Sequence, residues 1–206
     1  MAELVCQLLE AANRPRFAHF SLDDVYLTKA ERVWRADNIS SFNATRDDDG
    51  NFEVGHVSRP LIEQLLLVRG PPGTHDVAMA GAAIDQLRSK GKVSLPRFDK
   101  AADTRAPRSS WPTVASPVDV IILEGWCVGA VSQGRAALAT AVNDLERDED
   151  PKAVWRTYVN DQLDGPYQAL FGKLHDLVLL EAPSFEVVAG WRAEQEAKLR
   201  ATGAGG

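Results

Sequence analysis

Cysteine is nearly absent from this 206-residue sequence; Cys6 and Cys127 are its only two. Two thiols so far apart make no disulfide framework and no CxxC metal knuckle, so the expected setting is reducing and cytoplasmic. No apolar run approaches the ~20 residues that a membrane span needs. The first residues also lack a secretory pattern, because Glu3 sits where a basic flank would be and Asn13 and Arg14 break the following run. An excess of basic charge is missing too. With 23 Lys+Arg against 29 Asp+Glu the net charge is −6, which argues against nonspecific nucleic-acid binding. What is present is a globular composition, 45% apolar and 25% charged, in a chain long enough to fold as one domain over residues 1–206.

Apolar spacing predicts the elements. Residues 1–13 carry Met1, Leu4, Val5, Leu8, Leu9 and Ala12 on one helical face, with no capping residue ahead of them. FAHFS (17–21) reads as a short strand, 36–58 as an exposed insertion loop with an acidic knot at Asp47, Asp48 and Asp49, and 60–68 as helix. Thr74 can cap a helix from His75 to about Lys90, stopped by Gly91. A proline-punctuated loop over 94–117 carries Arg97, Lys100, Arg105 and Arg108. VDVIILEG is continuously apolar, as a parallel strand covered on both faces should be. Helix is expected around 131–146 and over 151–171 with a break near Gly165 and Pro166. HDLVLLEAP (175–183) reads as a second buried strand, 184–200 as an amphipathic helix, and 201–206 as a flexible tail. Strands separated by helices indicate a three-layer α/β domain with a mostly parallel sheet.

In such sheets the ligand crevice lies beyond the carboxyl ends of the strands. Here FAHFS runs into Asp23 and Asp24, VDVIIL into Glu124, and LVLL into Glu181. Asp23 and Asp24 could equally be turn and cap residues, and Glu124 could pair with a buried arginine. As a ligand set, an acid at Glu124 suits Mg2+, since hard cations take oxygen ligands. The glycine after it lets backbone pass close by. The cations of 97–108 supply the complement, unless they belong to a solvated surface loop. Fixed cations beside strand-end carboxylates are what phosphoryl transfer to an alcohol requires. RGPPGTHD holds more polar groups than a tight turn needs, in Arg69, His75 and Asp76.

Taken together, SLDDVYLT, RGPPGTHDVAMAGAAIDQLR, LPRFDKAADTRAPRSSWP, VDVIILEGWCVGA, VNDLERDEDP, WRTYVNDQL and APSFEVVAGWRAEQE resemble the D-glycerate 3-kinase family, and more distantly the uridine kinase-like branch of P-loop kinases. The resemblance covers nearly the whole chain and implies a P-loop kinase-type fold that uses ATP and Mg2+ on a small hydroxy acid. It implies Asp23 as the base for the acceptor hydroxyl, with Asp24 and Tyr26 lining the acceptor pocket. Arg69, His75, Asp76, Arg97, Asp99, Lys100 and Arg105 would form the rest of the acceptor side. Glu124 would take the Walker B position beside magnesium. Arg192, Lys198 and Arg200 fall where the branch carries its lid over the nucleotide phosphates.

One part of the family pattern is missing. No segment matches the phosphate-binding signature G-x-x-x-x-G-K-[ST]. In the family that loop directly precedes the helix read here over 1–13, and the strand before it lies between the VDVIIL and LVLL strands. The expectation is therefore an incomplete sheet, truncated at both ends. The polypeptide as written is expected to be inactive alone, either as a piece of a kinase or as a binding protein on a degenerate kinase scaffold. A nucleoside or similar alcohol as acceptor is the other alternative. The arginine and lysine set at 97–105 fits a carboxylate-bearing acceptor better.

Overall fold

The computed structural model describes residues 16–42, 45–46, 52–53, 68–184 and 186–201. Strand β1 (Phe17–Ser21) leads through a 3-10 turn (Leu22–Val25) into helix α1 (Lys29–Phe42). Short strands β2 (Thr45–Arg46) and β3 (Phe52–Glu53) pair antiparallel. Helix α2 (Val77–Leu87) precedes β4 (Gly91–Ser94), β5 (Phe98–Asp99), β6 (Thr104–Arg105), β7 (Thr113–Ser116) and β8 (Val120–Glu124). After these come α3 (Asp144–Glu149), α4 (Val154–Gln162), a π turn (Leu163–Tyr167), α5 (Gln168–Phe171) and α6 (Glu186–Ala201). Residues 1–174 and 175–206 form two compact units.

The first unit is organised on a parallel pair. β1 lies beside β8 in register from Phe17↔Val120 to Ser21↔Glu124. Arg16 fastens the start of the pair, its backbone N–H donating to Asp119 at 2.9 Å. Along β1 the alternation buries Ala18 and Phe20 against Ala80, Ala83, Ile84 and Leu87, which share one face of α2 at helical spacing. Leu22 and Val25 continue this core, and Tyr167, Leu170 and Phe171 complete it. Each large side chain buried there contributes about 1.5–3 kcal/mol. The acid-bearing turn after β1 is thus nailed down by its two apolar members. The expected break at Gly165 and Pro166 is the π turn, where a wider hydrogen-bond register accommodates the missing proline N–H.

Several expectations need correction. Residues 36–42 continue α1, so the first part of the segment read as a loop over 36–58 is helix. Asp76, not Thr74, caps α2 by accepting from the Met79 N–H at 2.9 Å, and Thr74 is buried. That helix ends at Leu87, and Gly91, at φ +150°, opens β4 instead of stopping a helix. The segment 94–117 is not a loop. It is a β-arm whose stem pairs β4 with β7 and whose tip pairs β5 with β6, because residues with β propensity lie between its prolines. Around 131–146 only a 3-10 turn (Arg135–Ala139) and the start of α3 form.

β8 is half-buried: Ile121 and Leu123 pack on the core while Val120 and Glu124 are exposed. Among the described residues β1 is its one hydrogen-bonded neighbour. Residues 176–182 form no strand, and Leu177, Val178, Leu179 and Leu180 are exposed. A continuous apolar strand needs a ladder partner, and none of the described strands supplies one there. The helix read over 1–13, most of that read over 60–68, and the tail beyond 201 lie outside the described residues.

Candidate active site

The two acids after β1 do different work. Ser21 caps the 3-10 turn by accepting from the Asp23 N–H at 3.1 Å, and Asp24 returns the bond by accepting from the Ser21 N–H at 3.0 Å. This is a reciprocal capping box on a short turn, so Asp24 is partly a structural residue. Asp23 is not needed for capping, and its carboxylate takes the Lys100 ammonium at 2.7 Å. Glu124 sits opposite Ser21 in the parallel register, so β1 and β8 end at the same edge with their acids there. Gly125 permits this closeness: a Cβ on it would lie 2.8 Å from the Leu22 Cβ. Any larger residue would press on the turn that carries Asp23.

The β-arm brings its cations to that edge. Arg97 reaches Asp24 at 2.8 Å, and Arg105 bridges Glu31 at 3.1 Å and Asp76 at 3.0 Å. Arg69 donates to the Lys100 carbonyl at 2.7 Å and lies over the Phe98 ring. Asp99 accepts from the Ala101 and Ala102 N–H groups at 2.9 and 3.0 Å, which makes it the organiser of the arm's terminal turn. Arg108 stacks on Trp111 instead of joining the cluster.

His75 is only 1% exposed. It stacks on Tyr26 with ring centroids 4.3 Å apart, and its Nδ1 meets the Tyr167 hydroxyl at 2.6 Å. Burial pushes its pKa down to about 4 against a smaller pull from Asp23, so the ring is neutral at pH 7. Above it, the Tyr26 hydroxyl donates to Asp23, and burial followed by the Asp23 charge raises the phenol's pKa. For Asp23 burial is the largest influence and acts upward. The Lys100 hydrogen bond and charge, then Tyr26 and His75, together outweigh it and hold the carboxyl below its ordinary value. Cys127 is buried nearby and is pushed up to about 11 by burial.

Sequence reasoning missed four residues of this cluster. Arg32 has a completely buried side chain that donates to the Leu27 carbonyl and, at 2.6 Å, to Asp103. Asp103 holds a left-handed backbone (φ 51°) at the end of the arm's turn. Glu31 caps α1 through the Thr28 N–H at 2.7 Å while pairing with Arg105. Tyr167 accepts from the Gly73 N–H at 2.9 Å beneath His75. The one signal available was Glu31 three residues after Thr28, a capping-box spacing.

The remaining expected residues belong to the second unit. On α6, Arg192 pairs with Glu196 at 3.1 Å and Lys198 with Glu194 at 2.6 Å, and the Arg200 side chain lies outside the described residues. Glu181 lies in the segment without regular structure.

Among the described residues no three His, Cys, Asp or Glu side chains form a metal cage. Glu124 alone fits a magnesium ion that takes one protein carboxylate and completes its shell with water and phosphate. A nucleotide triphosphate fits less well, because the sequence holds no glycine-rich loop with its lysine to receive the phosphates.

Known proteins resemble this chain in sequence and in fold. A search of family models gave no match. The chain is 31% identical over 191 residues to the uncharacterized kinase mug58 of Schizosaccharomyces pombe, covering 88% of this chain and 60% of that protein. It is 27% identical over 195 residues to the chloroplastic D-glycerate 3-kinase of Arabidopsis thaliana, covering 91% of this chain and 39% of that one. The chain thus spans less than two thirds of the length of either relative. Its fold matches a D-glycerate 3-kinase from Cryptococcus neoformans (TM-score 0.71, 24% identity, all of this chain and 67% of that one). It also matches the YGR205w protein (TM-score 0.66, 23% identity, all of this chain and 65% of that one). The likeness to the solved structures is one of fold, an α/β fold of P-loop kinase type with parallel strands, and the likeness in sequence is to a kinase and to a D-glycerate 3-kinase.

Proposed function

We propose that this chain carries the acceptor half of an ATP-dependent kinase for a small hydroxy acid, D-glycerate first, with 3-phosphoglycerate as product. The observation that carries the reading is the juxtaposition of Asp23 with the arm cations at the edge where β1 and β8 end together. Asp23, ionised at neutral pH, takes the proton of the acceptor hydroxyl as that oxygen becomes the nucleophile. A positioned base of this kind is worth roughly 10²- to 10⁴-fold in rate. Lys100 and Arg97 hold the acceptor's carboxylate, and Tyr26 keeps Asp23 oriented from below. Arg69, His75, Asp76, Asp99 and Arg105 act by fixing the arm and the turn against each other. Glu124 would hold Mg2+, which supplies charge neutralisation when bound. Arg192, Lys198 and Arg200 are the candidates for a nucleotide lid. A cytoplasmic setting is part of the reading, supported by the scarcity of cysteine.

Because no segment of the sequence matches the phosphate-binding signature G-x-x-x-x-G-K-[ST], the 206-residue polypeptide is expected to bind D-glycerate yet turn over little or no ATP by itself. The same feature favours a second reading, ligand binding without turnover on a kinase scaffold. Calorimetric titration with D-glycerate, paired with a coupled ADP-release assay, tests both halves. Failure to bind at millimolar D-glycerate would remove the acceptor assignment. Turnover of order 1 s⁻¹ by this polypeptide alone, an ordinary enzyme rate, would show that phosphates are held some other way.

A further inference from the structure

The five cations around the acid turn differ in how tightly they are committed. Arg32 has no exposed side-chain surface and two partners, and Arg105, 22% exposed, bridges two carboxylates. Arg69 is spent on the Lys100 carbonyl and on Asp103, 3.7 Å away. Arg97 donates to Asp24 and to the Pro96 carbonyl, and that Asp24 is already engaged in capping. Lys100 stands apart. Its ammonium has Asp23 as its single partner among the described residues, and its side chain is 62% exposed.

The backbone beneath Lys100 is held firmly. Arg69 takes its carbonyl, Asp99 caps the next two N–H groups, and Arg32 fixes Asp103 at the end of the turn. A strongly hydrated ammonium on a flexible four-carbon stem thus stands on a rigid base. It can change partner without its own charge being buried, since its side chain is largely exposed. Asp23, for its part, keeps the Tyr26 hydroxyl when the lysine leaves.

We propose that Lys100 is an exchangeable cap on Asp23: it occupies that carboxylate while no acceptor is bound, and crosses to the acceptor's own carboxylate when one arrives. This rests on the acceptor reading above and adds a selection step to it. A hydroxy acid brings the anion that draws Lys100 away and so uncovers the base. A neutral polyol such as glycerol brings none, and Asp23 stays covered. Burial acts on Asp23 to favour the proton, and Lys100 is the main influence opposing it, so uncovering makes the carboxylate more basic. Tyr26, His75 and Cys127 beside Asp23 are neutral at pH 7, and the carboxylates of Asp24, paired with Arg97, and of Glu124 stand at the same edge.

A double-mutant cycle read by calorimetry on the 206-residue protein tests the exchange. Lys100→Met should weaken D-glycerate binding roughly tenfold or more, the worth of a hydrogen bond to a charged group. Asp23→Asn should tighten it roughly two- to fivefold, because an exposed ion pair no longer competes for the lysine. In the Lys100→Met background the Asp23→Asn gain should vanish. Glycerol should bind the unmodified protein at least about tenfold more weakly than D-glycerate. If Asp23→Asn leaves D-glycerate affinity unchanged or lowers it, or gives the same gain without Lys100, the exchange is wrong while the acceptor reading stands. The exchange is equally overturned if glycerol binds as tightly as D-glycerate. Absence of any D-glycerate heat with the unmodified protein would overturn the acceptor reading and the exchange with it. Circular dichroism checks that each variant is folded. If Lys100→Met is not, Lys100→Gln takes its place, and the sign of the Asp23→Asn change decides alone.

Discussion

Around the acid turn, cations find carboxylates far along the chain: Lys100 reaches back 77 residues to Asp23, Arg97 73 to Asp24 and Arg105 29 to Asp76. On α6 the ion pairs of Arg192 with Glu196 and of Lys198 with Glu194 are local, each one helical turn apart. A pair within one helix reports only that the helix exists. A pair across 77 residues reports that two separate pieces of fold have been brought together and held. The first kind is cheap to lose and the second is tied to everything packed behind it.

The sharpest way to break the comparison is at Gly73, beneath the acid turn. Its φ is +101°, and an added Cβ would lie 2.5 Å from the Tyr158 ring. Gly73→Ala combines backbone strain with a clash against an aromatic side chain and should cost about 4 kcal/mol in urea unfolding. Next comes Arg32→Met, which leaves Asp103 without its buried partner and should cost about 3 to 4 kcal/mol. Adding Asp103→Leu should return part of that loss, and a full additive loss would show that the two residues do not work as a pair.

A pH scan of stability sharpens the contrast further. His75 falls from 6.5 unfolded to about 4 folded, so between those values the unfolded chain binds the proton and the native protein does not. Stability should therefore fall as pH drops from about 6.5 to about 4, by about 3 kcal/mol in all, at 1.36 kcal/mol per unit. His75→Gln should flatten that slope, and an unchanged slope would place the acid sensitivity elsewhere. At the small end, Arg192→Ala on α6 should move the midpoint of thermal unfolding by about 1 °C or less. A shift several times larger would mean that this arginine has a role beyond its helix.

The sequence made the parallel pair legible because apolar runs ending in acids can be read directly: Phe17–Ser21 into Asp23, and Val120–Leu123 into Glu124. Asp23, Lys100 and Arg97 were legible as candidates for the same reason, through residue type and spacing. What could not be read was the cluster's wiring. Arg32 looks like any exposed helix arginine in a polar segment, and nothing local says that its side chain is fully buried. The arm was mistaken for a loop because prolines mask two strand pairs only four and two residues long. LVLL at 177–180 shows the reverse error. Its pattern promised a buried strand, yet burial depends on a neighbour that no local pattern encodes.

β1 and β8 are brought together by Arg16 and Asp119, 103 residues apart in the chain. At ribosomal speeds of ~5–20 residues per second, β1 therefore leaves the peptidyl-transferase centre roughly 5–20 s before its partner strand is made. During that interval Ala18 and Phe20 have no completed sheet to join. The nascent segment between β1 and β8 should be the stage at which these strands are most dependent on chaperones, and synonymous codon changes that slow translation before residue 120 should lower the soluble yield.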